Sequence, residues 1–300
     1  NALNQEIVEF LPEVLETVDR TAAGLVIGNQ AGGMPGAFSA GANLMDVAIS
    51  VKENRFADIE KMIAGLQYGL LNLKYASFPV VAAPFGLALG GGCELSLAAD
   101  RSVAHAELYM GLVEIGVGLL PAGGGCLNLW RKFLDSVPEA VTEMDLAKLF
   151  IPVFMSIAMA KVSTSAAEAR ANGFLGPKDR IVMNRDHLIG EAKKEVLKML
   201  EDGYAAPLKK PFRVLGQGGQ GMVAAQIADM ANGQFVSEYD AFLARRIAYV
   251  ISGGDVRDNA EVTDDVILTL EREAFVDLLK EEKTVARIEH MLKTGKPLRN

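Results

Sequence analysis

Two glutamates stand where carboxylates are unusual. Glu94 lies in "LGGGCELSLAAD" (89–100), directly after three glycines, and Glu114 lies in "YMGLVEIGVGLLPAGGG" (109–125), 20 positions on (114 − 94). Glu114 is surrounded in sequence by Tyr109, Met110, Leu112, Val113, Ile115 and Val117. A carboxylate buried in such company without a partner is costly, or has its pKa pushed upward, so a purely structural account of Glu114 is difficult. Glu94 alone reads equally well as a favourable first-turn helix acid. The glycines add a second element. A triple glycine between a strand and a helix brings backbone close to a ligand and leaves the first helical N–H groups to point at it. The partial positive charge of that helix end would sit at Gly91, Gly92 and Cys93, facing a developing negative oxygen. A further small-residue turn, "FSAGANL" (38–44), could aim another N–H at the same oxygen, although tightly packed glycine turns are also ordinary. Paired carboxylates beside a two-donor oxyanion hole are the equipment for proton transfer next to a carbonyl.

These residues need elements to hold them. Ile7, Phe10, Leu11, Val14, Leu15 and Val18 recur at helical spacing, predicting a helix over 4–19 entered through Asn4. "GLVIG" (24–28) is a short β-branched run bounded by glycine, as a buried strand requires. After a glycine-rich loop, Ile59, Met62, Ile63, Leu66 and Leu70 mark a helix; "PVVAAPFG" then reads as a strand, "CELSLAAD" as a helix and "RSVAHA" as a strand. This alternation predicts an α/β fold with parallel strands. From Leu127 the pattern turns mostly helical, with "RIVMN" (180–184) as a late strand and amphipathic helices in "EAKKEVLKML" and "LEREAFVDLLKEEKTVARIEHMLKTG". The expected division is an α/β core over 1–126 and a mainly helical region of the same unit over 127–300.

Composition narrows the function classes. A net charge of −8 argues against a nucleic-acid binder, which needs a basic face. Cys93 and Cys126 stand beside glycines in apolar runs, which predicts no disulfide framework and a reducing, cytoplasmic setting. His105, His187 and His290 show no metal-ligand spacing, so no metal is expected. "FPVVAAPFGLALGGG" and "LFIPVFMSIAMA" fall short of the ~20 residues of a membrane span. The chain begins at Asn1 without a methionine, and it is expected to be a piece of a longer protein. Gly216, Gly218 and Gly221 spell G-x-G-x-x-G. Only about three strand residues precede them and no second strand ending in an acid follows, so a flexible or capping loop is favoured over a dinucleotide site.

"PVVAAPFGLALGGGCELSLAAD", with "FSAGANL" before it and "YMGLVEIGVGLLPAGGG" after it, resembles the crotonase superfamily, and specifically its enoyl-CoA hydratases. "SAAEARANGFLG" is similar to the segment ahead of that family's late strand. "EDGYAAP", "YVISGGD" and the last 31 residues from "LEREAFVDLL" on resemble the hydratase half of bacterial bifunctional 3-hydroxyacyl-CoA dehydrogenase/enoyl-CoA hydratases, in which the dehydrogenase precedes the hydratase. The resemblance implies a spiral of repeated ββα units with a helical C-terminal region, its first β-hairpin missing before Asn1. It implies that the N–H groups of Ala42 and Gly91 hold a thioester oxygen and that Ala40, Gly41, Leu44 and Gly90 bind substrate. Glu94 would activate water and Glu114 would protonate the α-carbon, giving syn addition of water to a trans-2-enoyl-CoA. No metal or redox cofactor is implied, the substrate is an acyl-CoA, and a homo-oligomer and an upstream dehydrogenase are the expected partners. Asn43 stands where the family usually has aspartate and Val113 where proline is common. An enoyl-CoA isomerase, or a catalytically silent acyl-CoA-binding or oligomerisation module, is the alternative.

Overall fold

Helix α1 (Gln5–Thr21) opens where the Asn4 side chain accepts the Ile7 N–H at 3.1 Å, satisfying one of the donors a helix start leaves over. The computed structural model describes residues 2–29, 36–138, 140–141 and 143–300, so most of the glycine-rich loop after the first strand lies outside the described residues. The chain divides into two units. The first comprises Asn1–Asn43, Ala64–Leu112 and Val162–Lys209, and the second Leu44–Ile63, Val113–Lys161 and Lys210–Asn300.

The first unit holds two parallel sheets. β1 (Leu25–Ile27), β3 (Val80–Ala82), β5 (Arg101–His105) and β7 (Arg180–Val182) form one, in that order. β2 (Ala37–Ser39), β4 (Gly86–Leu89) and β6 (Leu108–Gly111) form the other. Successive strands therefore alternate between sheets, and α4 (Gly91–Ala98) follows the β3–β4 pair, which makes a ββα turn of a spiral. The expected single strand "PVVAAPFG" is two strands in different sheets. Pro84 has no N–H for a ladder, and Gly86 sits at φ +52, where a Cβ would lie 1.7 Å from the Gly36 carbonyl oxygen. Val80, Val81 and Ala82 have no exposed surface, as an uninterrupted apolar run in a two-face-covered parallel strand requires.

Leu70, Leu73, Phe78 and Val80 form the centre of this unit's core, with Leu11, Leu15 and Val18 of α1 packed on it. Glycines let α1 come close to α3 (Phe56–Lys74): a Cβ on Gly69 would stand 2.7 Å from Leu11 Cδ2. α7 (Ala166–Ala171) is capped by Ser165, whose hydroxyl accepts the Glu168 N–H at 3.1 Å, and packs against β6. α8 (Leu188–Glu201) lies on β1, β3 and β5.

The second unit is mainly helical. It contains α2 (Leu44–Lys52), the start of α3, a 3-10 turn at Glu114–Val117, α5 (Gly125–Leu134) and α6 (Ala147–Ala158). α9 (Gln217–Asn232), α10 (Glu238–Ile251), α11 (Asp264–Leu278) and α12 (Glu282–Thr294) follow, with a small antiparallel pair, β8 (Phe212–Arg213) and β9 (Glu261–Val262). The terminal amphipathic run is thus two helices, broken where Glu281 turns extended at φ −78, ψ 124. Trp130 packs edge-on against Phe150 at 6.1 Å, and its indole N–H donates to the Arg213 carbonyl at 3.1 Å. Glu271, wholly buried on α11, accepts the N–H groups of Gly124 (2.8 Å) and Leu127 (2.9 Å) and so caps α5 from another helix. No helix among the described residues is long and apolar enough to cross a membrane.

Candidate active site

β2 ends at Ser39 and the chain turns through Ala40–Asn43; β4 ends at Leu89 and turns at Gly90 into α4. Within the first unit these two turns interlock. A Cβ on Gly92 would meet the Ser39 carbonyl oxygen at 2.7 Å and Ser39 Cβ at 2.8 Å. A Cβ on Gly41, which sits at φ +93, would meet the Leu89 oxygen at 3.1 Å and the Gly91 nitrogen at 3.2 Å. Only glycine allows this approach without moving backbone. The Ser39 hydroxyl accepts the Gly41 N–H at 3.2 Å and stiffens the first turn.

Gly90, at φ +53, is the N-cap of α4; its N–H donates to the Gly111 carbonyl and its carbonyl accepts the Glu94 N–H, both at 3.0 Å. Gly91 and Gly92 then supply the first helical N–H groups, for which an α-helix has no carbonyl of its own. Ala42 is oriented by the other end of the unit. Leu3 N–H donates to the Gly41 carbonyl (2.8 Å) and Asn43 N–H donates to the Leu3 carbonyl (3.2 Å). Those bonds go to the flanks of Ala42, so the N–H of Ala42 itself faces away from Leu3. Leu3 also covers Gly91: a Cβ there would stand 2.7 Å from Leu3 Cδ1. Glu94 is 3% exposed, on the first turn of α4.

The far end of α4 is fixed by Asp100, whose carboxylate accepts the Val80 N–H at 2.8 Å and the Tyr204 hydroxyl at 3.1 and 3.2 Å. Burial raises the Asp100 pKa above its ordinary value, outweighing these hydrogen bonds and the charges of Arg101 and Lys74. Burial, followed by the Asp100 charge, also raises Tyr204.

Glu114 belongs to the second unit. It heads the 3-10 turn, is half-buried and has a buried Oε2. The turn closes at Gly118 (φ +78), with the Gly118 N–H donating to Ile115 at 3.0 Å and the Leu119 N–H to the Glu114 carbonyl at 3.1 Å. Val113 is its N-cap residue. The first unit thus brings Ala40, Gly41, Ala42, Gly90, Gly91 and Glu94 together, whereas Glu114 and Leu44, the first residue of α2, lie in the second. Chemically, the first group offers backbone donors on a helix end to a carbonyl oxygen, with a buried carboxylate one turn along.

A family model described as enoyl-CoA hydratase/isomerase matches residues 1–144. That segment is just under half of the chain, and over it the chain is similar to the enoyl-CoA hydratase/isomerase family. Among proteins similar to it, a probable 3-hydroxyacyl-CoA dehydrogenase of Bacillus subtilis (strain 168) is 40% identical over 300 residues, all of this chain and 37% of that protein. A putative fatty acid oxidation complex trifunctional enzyme of Rickettsia felis (strain ATCC VR-1525 / URRWXCal2) is 26% identical over 98% of this chain and 36% of its own length. The chain therefore spans little more than a third of these relatives. The crystal structure of an enoyl-CoA hydratase from Bacillus halodurans superposes with a TM-score of 0.64 at 18% identity, over 96% of this chain and 90% of that one, a likeness of fold. The similarity over residues 1–144 is to enzymes of the hydratase/isomerase class.

The G-x-G-x-x-G loop has a different setting from the triple-glycine turn. Gly216 is the N-cap of α9 at φ +61, but the strand before it, β8, is antiparallel to β9. The Asp258 carboxylate accepts the Gly218 N–H at 2.6 Å, occupying the helix end where a pyrophosphate would bind. Sequence reasoning missed Leu3, Ser39 and Gly92 as supports of the donor turns. Gly92 was visible within the triple glycine; nothing local in the sequence marks Leu3, whose partner lies 38 and 40 residues away (41 − 3 and 43 − 3).

Proposed function

We propose that this chain is a 2-enoyl-CoA hydratase, part of a longer polypeptide that also carries a 3-hydroxyacyl-CoA dehydrogenase. The observation that carries the reading is the interlock of the Ser39–Asn43 turn with the Gly90–Gly92 turn, beside the buried Glu94. In this reading the N–H groups of Ala42 and Gly91 bind the thioester oxygen. Water attacks the β-carbon of the trans-2-enoyl thioester, and the π electrons move through the α-carbon onto that oxygen. Glu94 takes a proton from the water as the C–O bond forms, and Glu114 gives a proton to the α-carbon as the carbonyl re-forms. The sum is addition of H and OH, yielding a 3-hydroxyacyl-CoA. Stabilising the enolate oxygen lowers the barrier to attack at the β-carbon, and the two acids move the protons. Ala40, Gly41, Leu44 and Gly90 are assigned to substrate contact. The steps draw on no metal or redox cofactor, and the two buried cysteines, which form no disulfide, suit a reducing, cytoplasmic setting.

The presence of both Glu94 and Glu114 favours hydration over double-bond migration, which needs a single acid–base group. The test follows the ultraviolet absorbance of crotonyl-CoA. The chain should bleach the conjugated thioester, and Glu94→Gln and Glu114→Gln should each lower kcat by about 10²–10⁴-fold. A chain that instead builds conjugation from a 3-enoyl-CoA, with no hydration, is an isomerase. A chain that binds acyl-CoA and does neither is a silent module, and either result overturns the proposal.

A further inference from the structure

The turn that carries Glu114 is held by the far end of the chain. Thr284 Oγ1 donates to the Gly118 carbonyl at 2.7 Å, and Arg287 Nη1 donates to the Ile115 carbonyl at 3.3 Å. The two residues lie three apart on α12, hence on one face of the helix. Thr284 has no exposed surface and Arg287 is 2% exposed. A hydroxyl has one proton, and that of Thr284 goes to Gly118. The 2.6 Å contact between Thr284 Oγ1 and the Tyr239 hydroxyl is therefore donated by Tyr239. Burial raises the Tyr239 pKa above its ordinary value, so this donor keeps its proton at neutral pH.

Arg287 is itself held by further partners. Its Nη2 donates to Asp240 at 2.8 Å and its Nε to the Asn300 side chain at 2.9 Å, and its guanidinium lies 5.1 Å from the centre of the Tyr239 ring. A planar guanidinium with three acceptors at fixed angles has little freedom to swing. There is no slack between helix and turn either, since a Cβ on Gly118 would meet Thr284 Oγ1 at 2.7 Å. The turn is only four residues long, and 3-10 hydrogen bonds are poorly aligned, so such a turn gains its definition from outside.

We infer that Arg287 and Thr284 are positioning residues for Glu114, fixing the Glu114–Gly118 turn so that the carboxylate keeps one orientation for proton transfer. This rests on the reading of Glu114 as the donor to the α-carbon. The clamp acts on the backbone one and four residues beyond Glu114. A displacement of about 1 Å at a reacting group can cost on the order of 10²-fold in rate.

The experiment compares Thr284→Val, Thr284→Ser, Arg287→Met and Arg287→Lys, alone and combined with Glu114→Gln, by two measurements. Amide hydrogen exchange reads the turn directly: Thr284→Val and Arg287→Met should speed exchange at Gly118 and Leu119 about tenfold, with Thr284→Ser close to wild type. Crotonyl-CoA kinetics read its consequence: kcat should fall about 10- to 100-fold with KM changing less than about threefold, and the loss should vanish in the Glu114→Gln background. Unchanged exchange at both amides, or rate losses that multiply with that of Glu114→Gln, overturns the inference. If Arg287→Met does not fold, the Val and Ser replacements of Thr284 still decide. If the wild type does not hydrate, or Glu114→Gln leaves its rate unchanged, the proposed function fails, and the exchange measurement still decides whether the clamp exists.

Discussion

The two units define their candidate groups by opposite means. In the first, the Ala42 and Gly91 donors are set by backbone pressed against backbone, with glycine at every tight approach: Gly41, Gly90 and Gly92 leave no room for a Cβ or sit at positive φ. In the second, Glu114 stands on a turn held by side chains reaching in from α12, through Thr284 and Arg287. Backbone against backbone is rigid and fails abruptly, because the smallest possible addition, one methyl group, has nowhere to go. A side-chain clamp is adjustable and fails by degrees, because each hydrogen bond can be removed separately.

The sharpest way to break that contrast is Gly92→Ala. Its methyl would overlap the Ser39 oxygen and Cβ, forcing the donor turns apart, and kcat/KM for crotonyl-CoA should fall by about 10²–10³-fold. A Cβ on Gly190, on α8, would have nothing within 4 Å, which makes this glycine the control. Gly190→Ala should leave the rate intact and stabilise the fold by about 0.5–1 kcal/mol. Equal rates for the two variants would remove the claim that the interlock sets the donors. In the second unit, Glu271→Gln keeps one of two acceptors for the N–H groups of Gly124 and Leu127. It should lower unfolding stability by about 1.5–2.5 kcal/mol in urea titrations, a graded loss of the kind a side-chain cap predicts.

The same contrast governs what could be read from the sequence. The interlocked turns are spelled by local motifs, because a backbone contact that only glycine permits leaves glycines in the text; "LGGGCELSLAAD" and "FSAGANL" therefore mark both turns. The strands of the four-stranded sheet were legible from short apolar runs, but β2, β6 and the break between β3 and β4 were not, since "PVVAAPFG" keeps its apolar character straight through the passage from one sheet to the other. The clamp left no local signature at all. Thr284 and Arg287 sit in "KEEKTVARIEHML", where they pass for the polar face of an amphipathic helix, and their burial depends on carbonyls 166 and 172 positions away. Glu271 was hidden in the same way, as one acid among several in "LEREAFVDLL".

The smallest effect separates the units by the sign of their pH dependence. In the first, burial outweighs every favourable contact of Asp100 and raises its pKa above 3.8. Its contribution to stability is complete below the unfolded value and is lost as pH rises through the raised folded value. In the second, burial pushes Asp240 upward, but hydrogen bonds from Arg287 and Ser237 and the Arg287 charge bring it below 3.8. Its contribution is complete above the unfolded value and is lost as pH falls through the lowered one. Urea midpoints measured between about pH 3 and about pH 7 should therefore diverge. The stability gap between wild type and Asp100→Asn should narrow as pH rises, while the gap to Asp240→Asn should widen. Gaps that both narrow as pH rises would mean that the Arg287 pairing does not outweigh the burial of Asp240, and the clamp on the Glu114 turn would then rest on Thr284 more than on Arg287.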